Sequence, residues 1–292
     1  KQKIINDLDI LSPYDYDIFD DETFYRAYNG KVVRAVDFEF SRGCIYSCAY
    51  CVETVIQKYY GFEERSNKSG AIKNFKSYLR SKSAKTIYEE LEYLSIKKNI
   101  NFIRCQDTNF LTNDRNILIE LSDLFSKKKL NIKLYIETRP EGINEKSIEL
   151  LKKLNVDGVG MGIELSAETF RENELDRFAS QEKTINAFKI LKENGIKRTS
   201  YNMIGFPNQD EESILETIKF NQLLDPDNIT IAFYSPYIGT KQQKIGVDLK
   251  VFNQYEFGAD AMLRTNTKSS HLTKKKLNYY KDNFVDLVRN VK

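Results

Sequence analysis

The sequence predicts an α/β fold built on a parallel sheet, on three observations. Short apolar segments recur at strand length, amphipathic segments of helix length lie between them, and the junctions share a loose repeat. "AVDFEF" (35–40) reads as the first strand, followed by "NFIRCQD" (101–107), "IKLYIET" (132–138), "GVGMGIE" (158–164), "RTSYNMI" (198–204) and "ITIAFYS" (229–235). Each is rich in apolar or β-branched residues, as strands covered on both faces are. The junctions "LFSKKKLNIKLYIET", "LLKKLNVDGVGMGIE" and "ILKENGIKRTSYNMI" run from a lysine-bearing helix end through Asn or Gly into a strand. Six such β-α units in series require right-handed crossovers. An open doubly wound sheet and a full or partial barrel both satisfy that pattern.

The helical segments justify themselves in turn. "SAKTIYEELEYLSIKK" (83–98) places Ile87, Leu91 and Leu94 on one face. "NEKSIELLKKLN" (144–155) opens on Asn144 as an N-cap and aligns Ile148, Leu151 and Leu154. "NQDEESILETIKFNQLL" (208–224) follows Pro207 and opens on Asn208 and acidic residues. Residues 1–34 fall outside the alternation, with turn signals at Ser12-Pro13 and Asn29-Gly30, and read as a linker or wrapping arm. Residues 35–241 carry the β-α units, and 242–292 read as a helical extension. Within it "QYEFGADAMLRT" and "LNYYKDNFVDLVRNV" look helical, the latter with Tyr280, Phe284, Val285 and Val288 as its stripe.

Composition narrows the function. A net charge of +3, from 45 basic and 42 acidic residues, gives no electrostatic case for nucleic acid or an anionic membrane. No apolar run approaches the ~20 residues of a membrane span. A single histidine, His271 in a polar stretch, excludes sites that need two or three imidazoles and reads as exposed. Four cysteines are too few for a disulfide framework, and three of them sit in "SRGCIYSCAYC" (41–51). With no export signal, this points to metal or redox chemistry in the reducing cytoplasm.

Three explanations compete for Cys44, Cys48 and Cys51. A structural zinc site would recruit Cys105 as fourth ligand, but such sites favour paired C-x2-C knuckles. Incidental clustering is the second. The third is an iron–sulfur cluster on three thiolates, with one iron left open to a chelating molecule. The loop follows the first strand, at the end where α/β folds bind ligands.

The C-x3-C-x2-C spacing, with Tyr50 in the aromatic position before the third cysteine, resembles the cluster loop of the radical S-adenosylmethionine (SAM) superfamily. The resemblance runs over about residues 8–241 and implies a partial (β/α)6 TIM-like barrel with the C-terminal helical extension. It implies a [4Fe–4S] cluster on Cys44, Cys48 and Cys51, whose open iron is chelated by SAM. Reductive cleavage then gives methionine and a 5′-deoxyadenosyl radical that abstracts hydrogen from a small-molecule or biopolymer substrate. An electron donor such as flavodoxin or ferredoxin is implied as partner. In "QDTNFLTN" (106–113), Asp107 and Asn109 match the segment that helps hold the SAM amino group. Arg139 in "IETRPEGI", Glu164 in "GMGIELSAE" as a ribose contact, and Arg177 as a partner of the SAM carboxylate follow. "NMIGFP" puts Asn202 toward the ribose and Ile204 beside adenine.

The combination of "SRGC.Y.C.YC", "D.NF..N", "GIE" and "GFP" looks most like the radical SAM domain of cobalamin-binding enzymes. There a cobalamin domain precedes the barrel through a linker resembling "LDILSPYDYDIFDD" (8–21), so the chain reads either as a barrel cut from a longer enzyme or as a relative lacking that domain. Methyl transfer is the commonest expectation for that branch. Ile45 departs from the pattern, many relatives having proline there. The alternatives are a cobalamin-independent enzyme, such as a methylthiotransferase-like one, and a zinc-stabilised RNA-binding module.

Overall fold

The computed structural model describes residues 3–65, 70–128, 130–255 and 268–290. Its strands are β1 (Tyr25–Tyr28), β2 (Lys31–Phe38), β3 (Ser41–Arg42), β4 (Arg80–Ser81), β5 (Phe102–Cys105), β6 (Lys133–Thr138), β7 (Val156–Glu164), β8 (Lys197–Ile204) and β9 (Asn228–Phe233). The helices are α1 (Val52–Tyr60), α2 (Ala84–Lys98), α3 (Arg115–Lys128), α4 (Glu145–Lys153), α5 (Glu168–Asn173), α6 (Gln181–Glu193), α7 (Glu211–Leu224), α8 (Lys241–Asp248) and α9 (Lys274–Arg289). Among the described residues the main sheet runs β1-β2-β5-β6-β7-β8-β9, with β3 and β4 paired separately. The β2–β5, β5–β6 and β8–β9 pairings are parallel. This is the predicted class, α/β of the partial-barrel type with a C-terminal helix. The chain divides into two compact units, one of residues 1–44, 76–160 and 190–198, the other of 45–75, 161–189 and 199–292.

In the first unit, β1 and the start of β2 lie inside the segment read as an arm. Asn29 and Gly30, with φ of 48° and 72°, form the two-residue turn of a hairpin that adds β1 antiparallel to β2. The rest of the arm is fastened. Leu8 is buried, Asp9 accepts from the Ser83 amide (2.8 Å), and the Tyr16 hydroxyl donates to the Asp37 carbonyl (3.1 Å). The predicted stripes of α2 and α4 are buried as expected. Asn144 caps α4 in a reciprocal box with Ser147. Lys82 pairs with Glu90 (2.8 Å) almost out of water, its ammonium 4.7 Å from the centre of the Phe38 ring.

In the second unit, Ile204, Ile214, Ile218 and Ile231 meet Leu277, Tyr280, Phe284 and Val288 of α9 in one core. Two local expectations are corrected. The cap of α7 is Asp210, which accepts from the Ser213 amide, so the helix starts after Asn208. Val285 is exposed and Leu277 takes its place in the stripe, because the buried positions 277, 280, 284 and 288 follow the helical three-to-four spacing. "QYEFGADAMLRT" falls largely outside the described residues. His271 is exposed, as expected.

Helix α9 is tied to α7 through Glu211, which accepts from the Tyr280 hydroxyl (2.7 Å) and pairs with Lys276. The Lys276 ammonium, helped by the Tyr280 hydroxyl, holds the Glu211 carboxyl below its ordinary value. This stabilisation is present above the unfolded pKa and is lost as pH falls through the lowered folded value. Amide exchange in α9 is therefore expected to quicken a few-fold in that acid window, and Glu211→Gln is expected to remove the pH dependence. Unchanged protection in the variant, with the same pH profile, would count against the tie.

Candidate active site

The cysteine loop is held by its backbone. Its entry, up to Cys44, belongs to the first unit, where the Asp107 carboxylate accepts from the Phe40 amide (3.0 Å), the Ser41 hydroxyl and the Asn113 amide (3.0 Å). Thr108 donates to the Gly43 carbonyl (2.8 Å). Burial raises the Asp107 carboxyl above its ordinary value, against the lowering effect of these donors. Asp107 thus fixes the chain that enters the loop.

The remainder of the loop belongs to the second unit. The Ile45 carbonyl accepts from the Ile72 amide (2.8 Å) and the Ser47 amide donates to the Gly70 carbonyl (3.1 Å). Ala49 donates to the Leu175 carbonyl (2.9 Å) and accepts from the Gln242 amide at the start of α8 (3.0 Å). Thr54 donates to the Cys48 carbonyl (2.8 Å), and Gln57 to that of Tyr46 (3.0 Å). Cys51 opens α1 at the N-cap position without a side-chain cap bond. None of the four cysteines is in a disulfide. Cys48 is buried, Cys44 and Cys51 are half-buried, and Cys105 is fully buried within β5. Burial pushes the Cys105 thiol well above its usual range, the opposite of what a metal-binding thiolate needs.

At the end of β7 the second unit holds a strained carboxylate. Glu164 has φ of +62°, and the Leu165 amide reaches back to the Ile163 carbonyl (2.8 Å), the hydrogen bond of a γ-turn. A non-glycine residue in this region costs about 1–3 kcal/mol and persists only where its surroundings hold it. Here they do. Arg171 donates to the Leu165 carbonyl (3.0 Å) and the Ser166 amide to Thr217 Oγ1 (3.0 Å). The Glu164 side chain accepts from the Tyr50 hydroxyl (2.9 Å) and lies 3.8 Å from Arg177, which also donates to the Gly162 carbonyl. A Cβ on Gly162 would run into the Glu164 carboxylate, so the glycine leaves space for that group. Burial, then the charges of Glu164 and Cys48, push the Tyr50 phenol well up, which keeps it a donor. Its ring meets Phe206 edge-on (5.9 Å between centroids), and Phe206 stacks on Tyr234 (5.0 Å).

The other predicted residues have partners of their own. Asn109 accepts from the Thr138 hydroxyl (2.7 Å), and Arg139 is held by Glu141 (3.0 Å) beside Pro140. Asn202 joins a buried amide network, accepting from Asn221 (2.8 Å) and donating to the Thr230 carbonyl (3.2 Å). Ile204 is fully buried among the α7 and α9 side chains. Sequence reasoning found Tyr50, Glu164 and Arg177 separately. It missed Leu175, Gln242 and Arg171, whose contacts to the loop and turn leave no local pattern in the chain.

The radical SAM superfamily profile matches residues 38–220. The chain belongs to the radical SAM superfamily. It is similar to the anaerobic magnesium-protoporphyrin IX monomethyl ester cyclase of Rubrivivax gelatinosus, 26% identical over 259 residues that cover 87% of this chain and 42% of that protein. Among solved structures it shares its fold with the radical SAM methyltransferase TsrM of Kitasatospora setae, with cobalamin and a [4Fe–4S] cluster bound. That match has TM-score 0.58 and 17% identity, over 73% of this chain and 38% of that one. It also matches the cobalamin-dependent enzyme OxsB, with TM-score 0.60 and 15% identity over 86% of this chain and 41% of that one. The chain thus spans about two fifths of the length of these relatives.

Radical SAM membership implies a [4Fe–4S] cluster and SAM as cofactors, and favours an iron–sulfur site over the zinc module. The residues fit in donor chemistry: three cysteines outside any disulfide, spaced C-x3-C-x2-C on one anchored loop. Among the described residues no three His, Cys, Asp or Glu side chains form a ready-made metal cage. No described helix is long and apolar enough to cross a membrane.

Proposed function

We propose that this chain is the SAM-cleaving part of a radical SAM enzyme, with Cys44, Cys48 and Cys51 as the protein ligands of a [4Fe–4S] cluster. The observation that carries this reading is the loop: three cysteines outside any disulfide, at spacings of four and three, on a backbone fixed residue by residue. Once bound there, the cluster supplies the electron that splits SAM into methionine and a 5′-deoxyadenosyl radical, which takes a hydrogen atom from the substrate.

The chain's own residues have distinct parts. Glu164 accepts hydrogen bonds from the ribose hydroxyls, and Arg177 attracts the SAM carboxylate while steadying Glu164. Tyr50 holds the Glu164 carboxylate in position through its hydroxyl. Asp107 and Asn109, read from the sequence as SAM contacts, act instead through the loop and strand ends they brace. Arg139 does the same for the turn after β6. Asn202 and Ile204 set the end of β8 by packing.

We extend the proposal to cobalamin-dependent methyl transfer by the whole protein, with a flavodoxin- or ferredoxin-like electron donor in the cytoplasm. The likeness to TsrM and OxsB supports this branch. Anaerobic reconstitution with iron and sulfide, reduction and addition of SAM are expected to yield 5′-deoxyadenosine. A colourless protein with stoichiometric zinc would overturn the reading, and cobalamin binding by the full-length protein decides the branch.

Tyr50→Phe keeps the ring against Phe206 and removes only the bond to Glu164. A hydrogen bond to a charged group contributes ~1.5–3 kcal/mol. SAM affinity is therefore expected to fall about 10-fold at unchanged iron content, a loss of ~1.4 kcal/mol. Equilibrium dialysis with SAM reads this directly, and wild-type affinity in the variant would remove Tyr50 from the site.

A further inference from the structure

In the first unit the arm leaves an aromatic pocket against the end of β2. Pairing of β1 with β2 stops at Tyr25 opposite Arg34, so the last residues of β2 have no strand on that side. The Phe38 carbonyl turns to the end of β5 and accepts from the Gln106 amide (2.9 Å). Its neighbour, the Asp37 carbonyl, faces the other way and takes the Tyr16 hydroxyl of the arm (3.1 Å). Between arm and strand lies a pocket of about 300 Å³. Phe24, Val36 and Phe38 are its buried lining, and Tyr14, Tyr16 and Phe19 line its more exposed part. The walls are set in advance. Tyr14 donates to Glu39 (2.7 Å) and meets Tyr16 edge-on, with 6.2 Å between ring centroids. Phe19 is 50% exposed, and Ile18 beside it 72%. Apolar side chains left in water at the mouth of a ring-lined hollow mark a contact site rather than a core.

Charge decides what the pocket takes. Inside it the carboxylates are matched, Asp37 by Arg26 (2.7 Å) and Gln106 (2.8 Å), and Glu39 by Arg42 (2.8 Å). A charged group pushed in would have to break one of these pairs, so the inserted group is uncharged. The rim is different. The stretch "YDYDIFDDETF" (14–24) carries five carboxylates and no basic residue, in a chain of net charge +3. Asp17 and Asp21 are answered by Lys98 and Arg34, while Asp15, Asp20 and Glu22 stand exposed around the pocket's aromatic residues in the chain. Such a surface draws positive charge toward it.

We propose that this pocket receives one aromatic side chain from a basic segment of a partner protein, with the flanking lysines or arginines over the acidic rim. The site lies wholly within the first unit and does not depend on the cluster. Neutral, ring-lined walls suit an aromatic anchor, and the anchor supplies most of the affinity. The rim charges speed and orient the approach. A free aromatic molecule would fill the pocket and leave the rim idle. A basic segment without a ring would do the reverse.

The test titrates the full chain by calorimetry with four probes: the capped peptides Lys-Lys-Phe-Lys-Lys, Lys-Lys-Ser-Lys-Lys and Glu-Glu-Phe-Glu-Glu, and indole. The first is expected to bind about 10-fold more tightly than each of the others and to weaken as salt rises. Phe19→Ser, at a half-exposed position, is expected to leave the thermal midpoint unchanged and to cost about 10-fold in affinity for that peptide. Asp15→Asn, Asp20→Asn and Glu22→Gln together are expected to remove most of the salt dependence. No binding of the first peptide, equal binding of its serine counterpart, or wild-type affinity in Phe19→Ser would overturn the proposal. An unchanged salt dependence in the triple variant would do the same. Indole binding as tightly as the first peptide would also overturn it and assign the pocket to a small aromatic molecule.

Discussion

Cys48→Ser is expected to yield a folded chain that takes up little iron and forms no detectable 5′-deoxyadenosine, a loss of at least 100-fold. The side chain is buried but small, and the bonds that fix this stretch run through the Cys48 carbonyl, which serine keeps. Only the thiolate is lost, the group proposed above as a cluster ligand. Cys44→Ser and Cys51→Ser are expected to behave alike. Cys105→Ala is the informative contrast. It opens a small cavity within the sheet, costing on the order of 1 kcal/mol, and should leave iron uptake intact. A four-thiolate zinc site would instead make Cys105 as necessary as the other three. Metal analysis of the four variants separates the two accounts, and iron retained by Cys48→Ser would contradict the first.

Asp107→Ala is expected to lower stability by about 3 kcal/mol and to reduce cluster incorporation with it. The carboxylate satisfies the Phe40 amide, the Ser41 hydroxyl and the Asn113 side chain. Buried donors left without a partner cost ~1–3 kcal/mol each, and the Ser41 hydroxyl can turn elsewhere. Because Phe40 and Ser41 lead into Cys44, the damage reaches the loop. The pH dependence has a definite sign. The folded carboxyl titrates above its unfolded value, so the folded chain binds more protons between the two. Its contribution is therefore fullest below the unfolded pKa and is lost as pH rises through the folded one. Urea titrations across the acid range should show this slope in the wild type and not in Asp107→Asn. A change below 1 kcal/mol in Asp107→Ala would show that the loop entry stands without it.

What the sequence reveals follows from how far apart the partners lie. The stripe of Ile87, Leu91 and Leu94 and the cap at Asn144 are local patterns, and both stand in the structure. The β1 hairpin was signalled by Asn29-Gly30, but "YRAY" is too short and too polar to read as a strand without its partner. The three cysteines announce themselves because their loop is contiguous in the chain. The bond from Tyr50 to Glu164 spans 114 positions and has no local signature. Asp107 shows the complementary limit. Its place after the second predicted strand fits a ligand contact, and only the structure shows its bonds to Ser41 and Phe40, 66 and 67 residues earlier. Ile204 stands at a strand end in the sequence, and only the packing of α9 shows that this end is covered.

The central claim is that three thiolates hold a cluster and leave one iron for SAM. Mössbauer spectroscopy of the anaerobically reconstituted chain, with and without SAM, tests it most directly. The account predicts about four irons per chain in one cluster, with a single iron whose signal changes when SAM is added. No iron uptake, or a cluster in which SAM alters none of the irons, would contradict it.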